Sequence, residues 1–128
     1  MAYHFSKEQD CSFDQAVTRV SEALKQQGFG ILTEIDVAQT LKQKLDVDFR
    51  KYRILGACNP SLAYRALSLE DRIGTMLPCN VIVQARDGGK VEVSAVDPVA
   101  SMQAVENPGL AEVAQTVREK LKAVVDAL

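Results

Sequence analysis

The chain has 128 residues, 47% hydrophobic and 25% charged, with a formal net charge of -2; that length supports one domain, residues 1–128, with a core of its own. Mild acidity and dispersed basic residues give no footprint for nucleic acid or for an anionic membrane surface, and no run approaches the roughly 20 apolar residues of a membrane-spanning helix. The stretch Met1-Ala2-Tyr3-His4-Phe5-Ser6-Lys7 lacks a signal-peptide pattern, and three cysteines suit no secreted disulfide framework, so free thiols in a reducing cytoplasm are the expectation.

In chain order, Tyr3 to Ser6 alternates apolar and polar residues and predicts a first strand. Ser12 then offers an N-cap to a helix carrying Phe13, Ala16, Val17, Val20 and Leu24 at helical spacing, and Gly28 supplies its left-handed stop. Ile31 to Ile35 predicts a second strand. From Asp36, residues Val37, Leu41 and Leu45 mark a shorter amphipathic helix. Lys51 to Cys58 predicts a third strand. Asn59 and Pro60 follow as cap and first helical residue of a helix carrying Leu62, Ala63, Ala66 and Leu67. Cys79 to Arg86 and Val91 to Val96 predict a hairpin across Asp87-Gly88-Gly89. Asp97-Pro98 and Asn107-Pro108 repeat the cap-plus-proline device. The last helix begins near Leu110 and carries Val113, Ala114, Val117, Leu121 and Val124. This order favours an α+β two-layer sandwich, a mainly antiparallel sheet with helices on one face. The first and last helices supply most of the core, through Val17, Val20, Leu24, Val117 and Leu121.

The side chains with chemistry to offer recur in two segments, Gly56-Ala57-Cys58-Asn59-Pro60 and Leu77-Pro78-Cys79-Asn80. A period of two puts Cys58 with Gly56, Ile54 and Tyr52, and Cys79 with Val81, Val83 and Ala85. Both thiols are therefore expected on the more apolar face, where a free cysteine packs as a small hydrophobe. If the third and fourth strands pair antiparallel, Cys58 and Cys79 meet at one end of the sheet. There they could act as a thiolate pair, a redox couple or two ligands for a soft ion such as Cu(I) or Zn(II). The 21-residue spacing matches no C-x-x-C motif, and two sulfurs leave a zinc shell incomplete. Asn59 reads as a helix cap. Asn80 points away from Cys79 and is free either to fix a loop or to bond a ligand. His4, the lone histidine, falls on a polar edge strand, Cys11 sits in a turn, and Glu70 and Asp71 diverge on a helix end. No phosphate loop, nucleophile elbow or dinucleotide fingerprint occurs.

Ile54-Leu55-Gly56-Ala57-Cys58-Asn59-Pro60, Ile73-Gly74-Thr75-Met76-Leu77-Pro78-Cys79-Asn80-Val81 and Val96-Asp97-Pro98 together resemble the domain-of-unknown-function family 302 over nearly the whole chain. The resemblance implies a TATA-binding-protein-like α+β fold and commonly a homodimer, and it implies no reaction. From the residues themselves, a bare sheet face carrying Leu32, Leu55, Ile82 and Val96 also points to a dimer, unless the helix from Val37 to Leu45 folds over it. The functional expectation is a non-enzymatic small-ligand-binding or structural homodimer with its site at Cys58, Asn59, Cys79 and Asn80. Neither thiol has a general base nearby in the sequence. The alternative is a thiol-based redox, sulfur-handling or soft-metal-binding protein, with Cys58 and Cys79 as the metal ligands. The sequence names no cofactor and no particular small molecule.

Overall fold

The computed structural model describes residues 2–128. Strands β1 (His4–Gln9), β2 (Gly30–Asp36), β3 (Tyr52–Cys58), β4 (Cys79–Ala85) and β5 (Val91–Val96) form one sheet in the order β1-β5-β4-β3-β2. Every neighbouring pair is antiparallel. Helices α1 (Phe13–Gln26), α3 (Pro60–Leu69) and α5 (Pro108–Asp126) belong to the layer on one face. A short helix α2 (Val37–Leu45) packs on β2 and β3, and a four-residue α4 (Pro98–Ser101) follows β5. The chain is thus an α+β two-layer domain.

Local chemistry sets most boundaries. Ser12 caps α1 reciprocally: its hydroxyl accepts from the Gln15 amide at 3.1 Å, and its own amide donates to Gln15 Oε1 at 3.1 Å. Gly28 leaves that helix at φ +83, a conformation that costs glycine nothing. Asn59, Asp97 and Asn107 each cap a helix whose first residue is proline. Asp97 is buried and also accepts from Arg118 Nε at 3.2 Å, which ties α4 to α5.

The core lies between the helices and the odd-numbered residues of the central strands. Leu55, Val81, Val83, Val93 and Ala95 meet Val20 and Leu24 of α1 and Leu121 and Val124 of α5, all fully buried. Val117 joins them and Val17 is half-buried at the margin, so the two long helices carry the core as their spacing predicts. The α2 helix is different. Its apolar spacing buries no residue, and Leu45 is 66% exposed.

Two placements differ from expectation. Leu55 is not on the helix-free face; the register Leu55↔Val81 puts it in the core. Leu32 is the inserted residue of a bulge between Ile31 and Thr33, and the bulge turns it toward the helix layer, where it lines a cavity with Ala57. The apolar part of the helix-free face is therefore Ile35, Ile54, Ile82 and Val96, with Ile35 exposed and the other three half-buried among polar neighbours.

Gly56 fixes the pairing of β3. A Cβ there would overlap Thr33 Oγ1 and lie 2.7 Å from Pro78 Cγ, so the Thr33 side chain and the Pro78 ring close over a position that only hydrogen can occupy. The Leu77–Pro78 peptide is cis. Gly56→Ala is expected to destabilise the domain by about 3 kcal/mol, as overpacking against a rigid ring does. Thr33→Ala in the same chain should recover about 1 kcal/mol, because it removes one of the two overlaps. Urea unfolding of the two single variants and the double variant checks both values; strictly additive effects would count against the shared contact.

Candidate functional site

Asn59 is committed at both ends of its amide. Oδ1 accepts from the Leu62 amide at 3.4 Å and the Ser61 hydroxyl at 3.1 Å, while Nδ2 donates to the Gln27 carbonyl at 3.2 Å. It therefore starts α3 and pins it to the end of α1. Gly28 allows this approach, since a Cβ there would sit 3.0 Å from Asn59 Nδ2. The cap reading holds, and little of this amide remains for a ligand.

The antiparallel register brings the two cysteine segments to the same end of the sheet, with Ala57 opposite Cys79 and Gly56 opposite Asn80. The shared-face expectation fails in one respect. Cys79 points into the helix layer with Val81 and Val83, whereas Cys58 continues the line of Gly56, Ile54 and Tyr52, which is the helix-free side. Because Cys58 is the last residue of β3, where the chain turns into α3, it still borders the same cavity as Cys79. Cys58 and Cys11 are half-buried and Cys79 is buried; all three thiols are free. Burial pushes the Cys79 thiol up to about 11 from an ordinary 9.0, and negative charge on neighbouring Cys58 adds to the rise.

That cavity, of about 340 Å³, is the main feature at this end of the sheet. Cys58, Asn59 and Cys79 form its sheet-side wall, Leu62, Ala63, Ala66 and Leu67 of α3 another, and Leu110, Val113, Ala114 and Val117 of α5 a third. Ala63, Ala66, Gly74 and Ala114 are small, and that missing side-chain volume opens a space far larger than ordinary core packing leaves. Leu32 and Leu67 line it while remaining 68% and 44% exposed, so the space reaches solvent. Apart from Asn59 and the thiols, every lining side chain is apolar or hydrogen.

Asn80 is separate. It is exposed on the opposite face, and among the described residues its side-chain amide has no hydrogen-bond partner. It lines a polar groove with Tyr52, Gln84, Glu92 and Ser94. The four candidate residues thus divide: Cys58, Asn59 and Cys79 at the cavity, Asn80 at the groove. The part α5 plays in lining the cavity is not evident from its sequence spacing, which reads as a core stripe. Its apolar residues outnumber what one core stripe requires, and the small residues of α3 were the complementary signal. His4 lies exposed on edge strand β1, with Nδ1 2.6 Å from Ser6 Oγ, and Ser6 Oγ is 2.7 Å from Ser94 Oγ.

The family described as "Domain of unknown function DUF302" matches residues 5–128. The chain is also similar to a crystal structure of an uncharacterised conserved DUF302 protein from Bacillus stearothermophilus. The two share 29% identity and a TM-score of 0.91, over 98% of each chain. No curated protein matches the chain significantly. The chain belongs to the DUF302 family.

The raised Cys79 pKa carries a stability consequence. Between pH 9 and 11 the unfolded chain releases this proton and the folded chain retains it. The contribution is thus fully present below about pH 9 and is lost as pH rises through about 11. Cys79→Ala should flatten the alkaline limb of unfolding free energy against pH by at most about 3 kcal/mol. Urea unfolding of both proteins across that range reads the difference; parallel curves would refute the burial of this thiol.

Proposed function

We propose that this DUF302 chain is a non-enzymatic binding domain for a small, uncharged, predominantly apolar molecule, held in the cavity between α3, α5 and the Cys58/Cys79 end of the sheet. The observation that carries the reading is the cavity itself. Its volume of about 340 Å³ falls at the lower end of ligand sites, roughly 300–1,000 Å³. Its wall offers no charged group, and its one amide, Asn59, is already bonded through both Oδ1 and Nδ2. A charged ligand would lose its hydration there without compensation. The two thiols give the wall a soft, polarisable patch without demanding a hydrogen-bond partner.

The thiol-based redox, sulfur-handling or soft-metal alternative rests on Cys58 and Cys79 alone. Among the described residues no three His, Cys, Asp or Glu side chains gather as a metal-holding group. Near neutral pH Cys79 stays a thiol, the poorer nucleophile and ligand. Both points favour binding over thiol chemistry.

A homodimer is the accompanying proposal. Edge strand β2 has a free side, and near it Ile35, Leu45, Val47 and Phe49 are all large, apolar and more than a third exposed. Such a cluster beside an unpaired edge suits association with a second copy. Light scattering is expected to give a dimer mass for this chain and a monomer mass for a Leu45→Glu, Val47→Glu variant; a monomer before substitution removes the proposal.

For the cavity, the neutral fluorophore N-phenylnaphthylamine should brighten on mixing with the protein. Ala63→Phe, which places a ring in the space, should weaken that binding by about tenfold or more, or 1.4 kcal/mol, with the thermal midpoint kept. Equal binding by both proteins, or none by either, would overturn the reading.

A further inference from the structure

The helix-free face holds a second concavity, of about 380 Å³, lined in part by Tyr52, Asn80, Ile82 and Gln84. Where β3 begins, two guanidinium groups converge on one neutral amide. Arg50 Nε donates to Gln84 Oε1 at 3.1 Å, and Arg86 Nη1 donates to the same oxygen at 3.4 Å. Gln84 is 7% exposed and its Nε2 donates to Glu92 Oε1 at 3.4 Å, so its amide is oriented with the oxygen toward the arginines.

Among the described residues neither arginine has a carboxylate partner, unlike Arg53 on Glu34 at 3.1 Å or Arg118 on Asp97 at 3.2 Å. Arg50 is nonetheless held in place. Its guanidinium carbon lies 4.5 Å from the Phe49 ring centroid and 5.5 Å from that of Tyr52. Stacking of this kind orients a planar cation and leaves its terminal N–H groups for another acceptor.

We propose that this groove, together with the Arg50 and Arg86 guanidinium groups that flank its Gln84 end without lining it, binds a small organic carboxylate, with the carboxyl group on the two guanidinium groups and the body along Tyr52 and Ile82. Two planar forks supply paired N–H donors that match a carboxylate's two oxygens. The neutral Gln84 amide organises the two cations without neutralising them, so the incoming anion supplies the missing charge. Glu92, on the same groove, disfavours a dianion such as phosphate and selects a monoanion. Asn80, with its unspent amide, is available to a polar substituent at the far end of the ligand. The site is on the opposite face from the apolar cavity and does not depend on it.

Titration of isotope-labelled protein with benzoate, followed by amide shifts, tests the assignment. Benzoate is expected to shift Tyr52, Ile82 and Gln84 with a dissociation constant on the order of 1 mM. Benzyl alcohol and inorganic phosphate should bind about tenfold more weakly or worse. Arg50→Gln and Arg86→Gln should each weaken benzoate about fivefold or more, with Arg50→Lys in between because it keeps the charge and loses the fork. Both arginines are exposed, so an unchanged thermal midpoint in each variant is expected and shows that the fold is intact. Benzoate binding that survives Arg50→Gln with Arg86→Gln, an equal affinity for benzyl alcohol or phosphate, shifts confined to the cavity residues, or no shift at all would overturn the proposal.

Discussion

The close approach at Gly56 is the constraint on which the rest depends. With no Cβ at that position, the Thr33 side chain from one neighbouring strand and the Pro78 ring at the start of the other can close over the same point of β3. The close fit favours one register, Gly56 opposite Asn80 and Ala57 opposite Cys79. In a sheet, a slip of one residue moves every side chain to the other face. That register therefore decides that Cys79, Val81 and Val83 enter the helix layer, while Asn80, Ile82 and Gln84 remain on the helix-free side. Both concavities follow from the same choice.

Asn59 then converts strand order into helix placement. By capping α3 and bonding to the end of α1 at Gln27, it anchors the start of α3 just beyond Cys58. Helix α5 approaches from the other side, and the small residues at Ala63, Ala66 and Ala114 keep the two helices from filling the space between them.

Local devices were legible in the sequence because they close within a few residues. The caps at Ser12, Asn59, Asp97 and Asn107 sit where the polar-residue and proline pairs put them, and β5 matches its alternation at both ends. What could not be read there depends on distant partners. The side taken by Leu32 is set by a bulge against β3. The exposure of Leu45 reflects a helix lying at the sheet edge, although its spacing resembles that of a core helix. The Ser6–Ser94 contact joins residues 88 apart. The candidate site divided for a similar reason: Cys-Asn reads as one repeated unit along the chain, but adjacent strand residues point to opposite faces, so Cys79 and Asn80 serve different surfaces.

The volume of the cavity is itself an argument for use. A sealed void of 340 Å³, at about 24 cal/mol per Å³, would cost roughly 8 kcal/mol. That is comparable with the whole stability of an ordinary domain, about 5–15 kcal/mol. The fold avoids a sealed void by leaving the space in contact with solvent at Leu32 and Leu67, but an apolar wall exposed to water still forfeits hydrophobic stabilisation. An apolar guest recovers that term and stabilises the folded state by mass action. The wall that raises the Cys79 pKa would reject a charged guest by the same desolvation. The opposite face has the reverse chemistry, with the Arg50 and Arg86 cations exposed to water, so the anion proposed for it is of the kind that the cavity wall would reject.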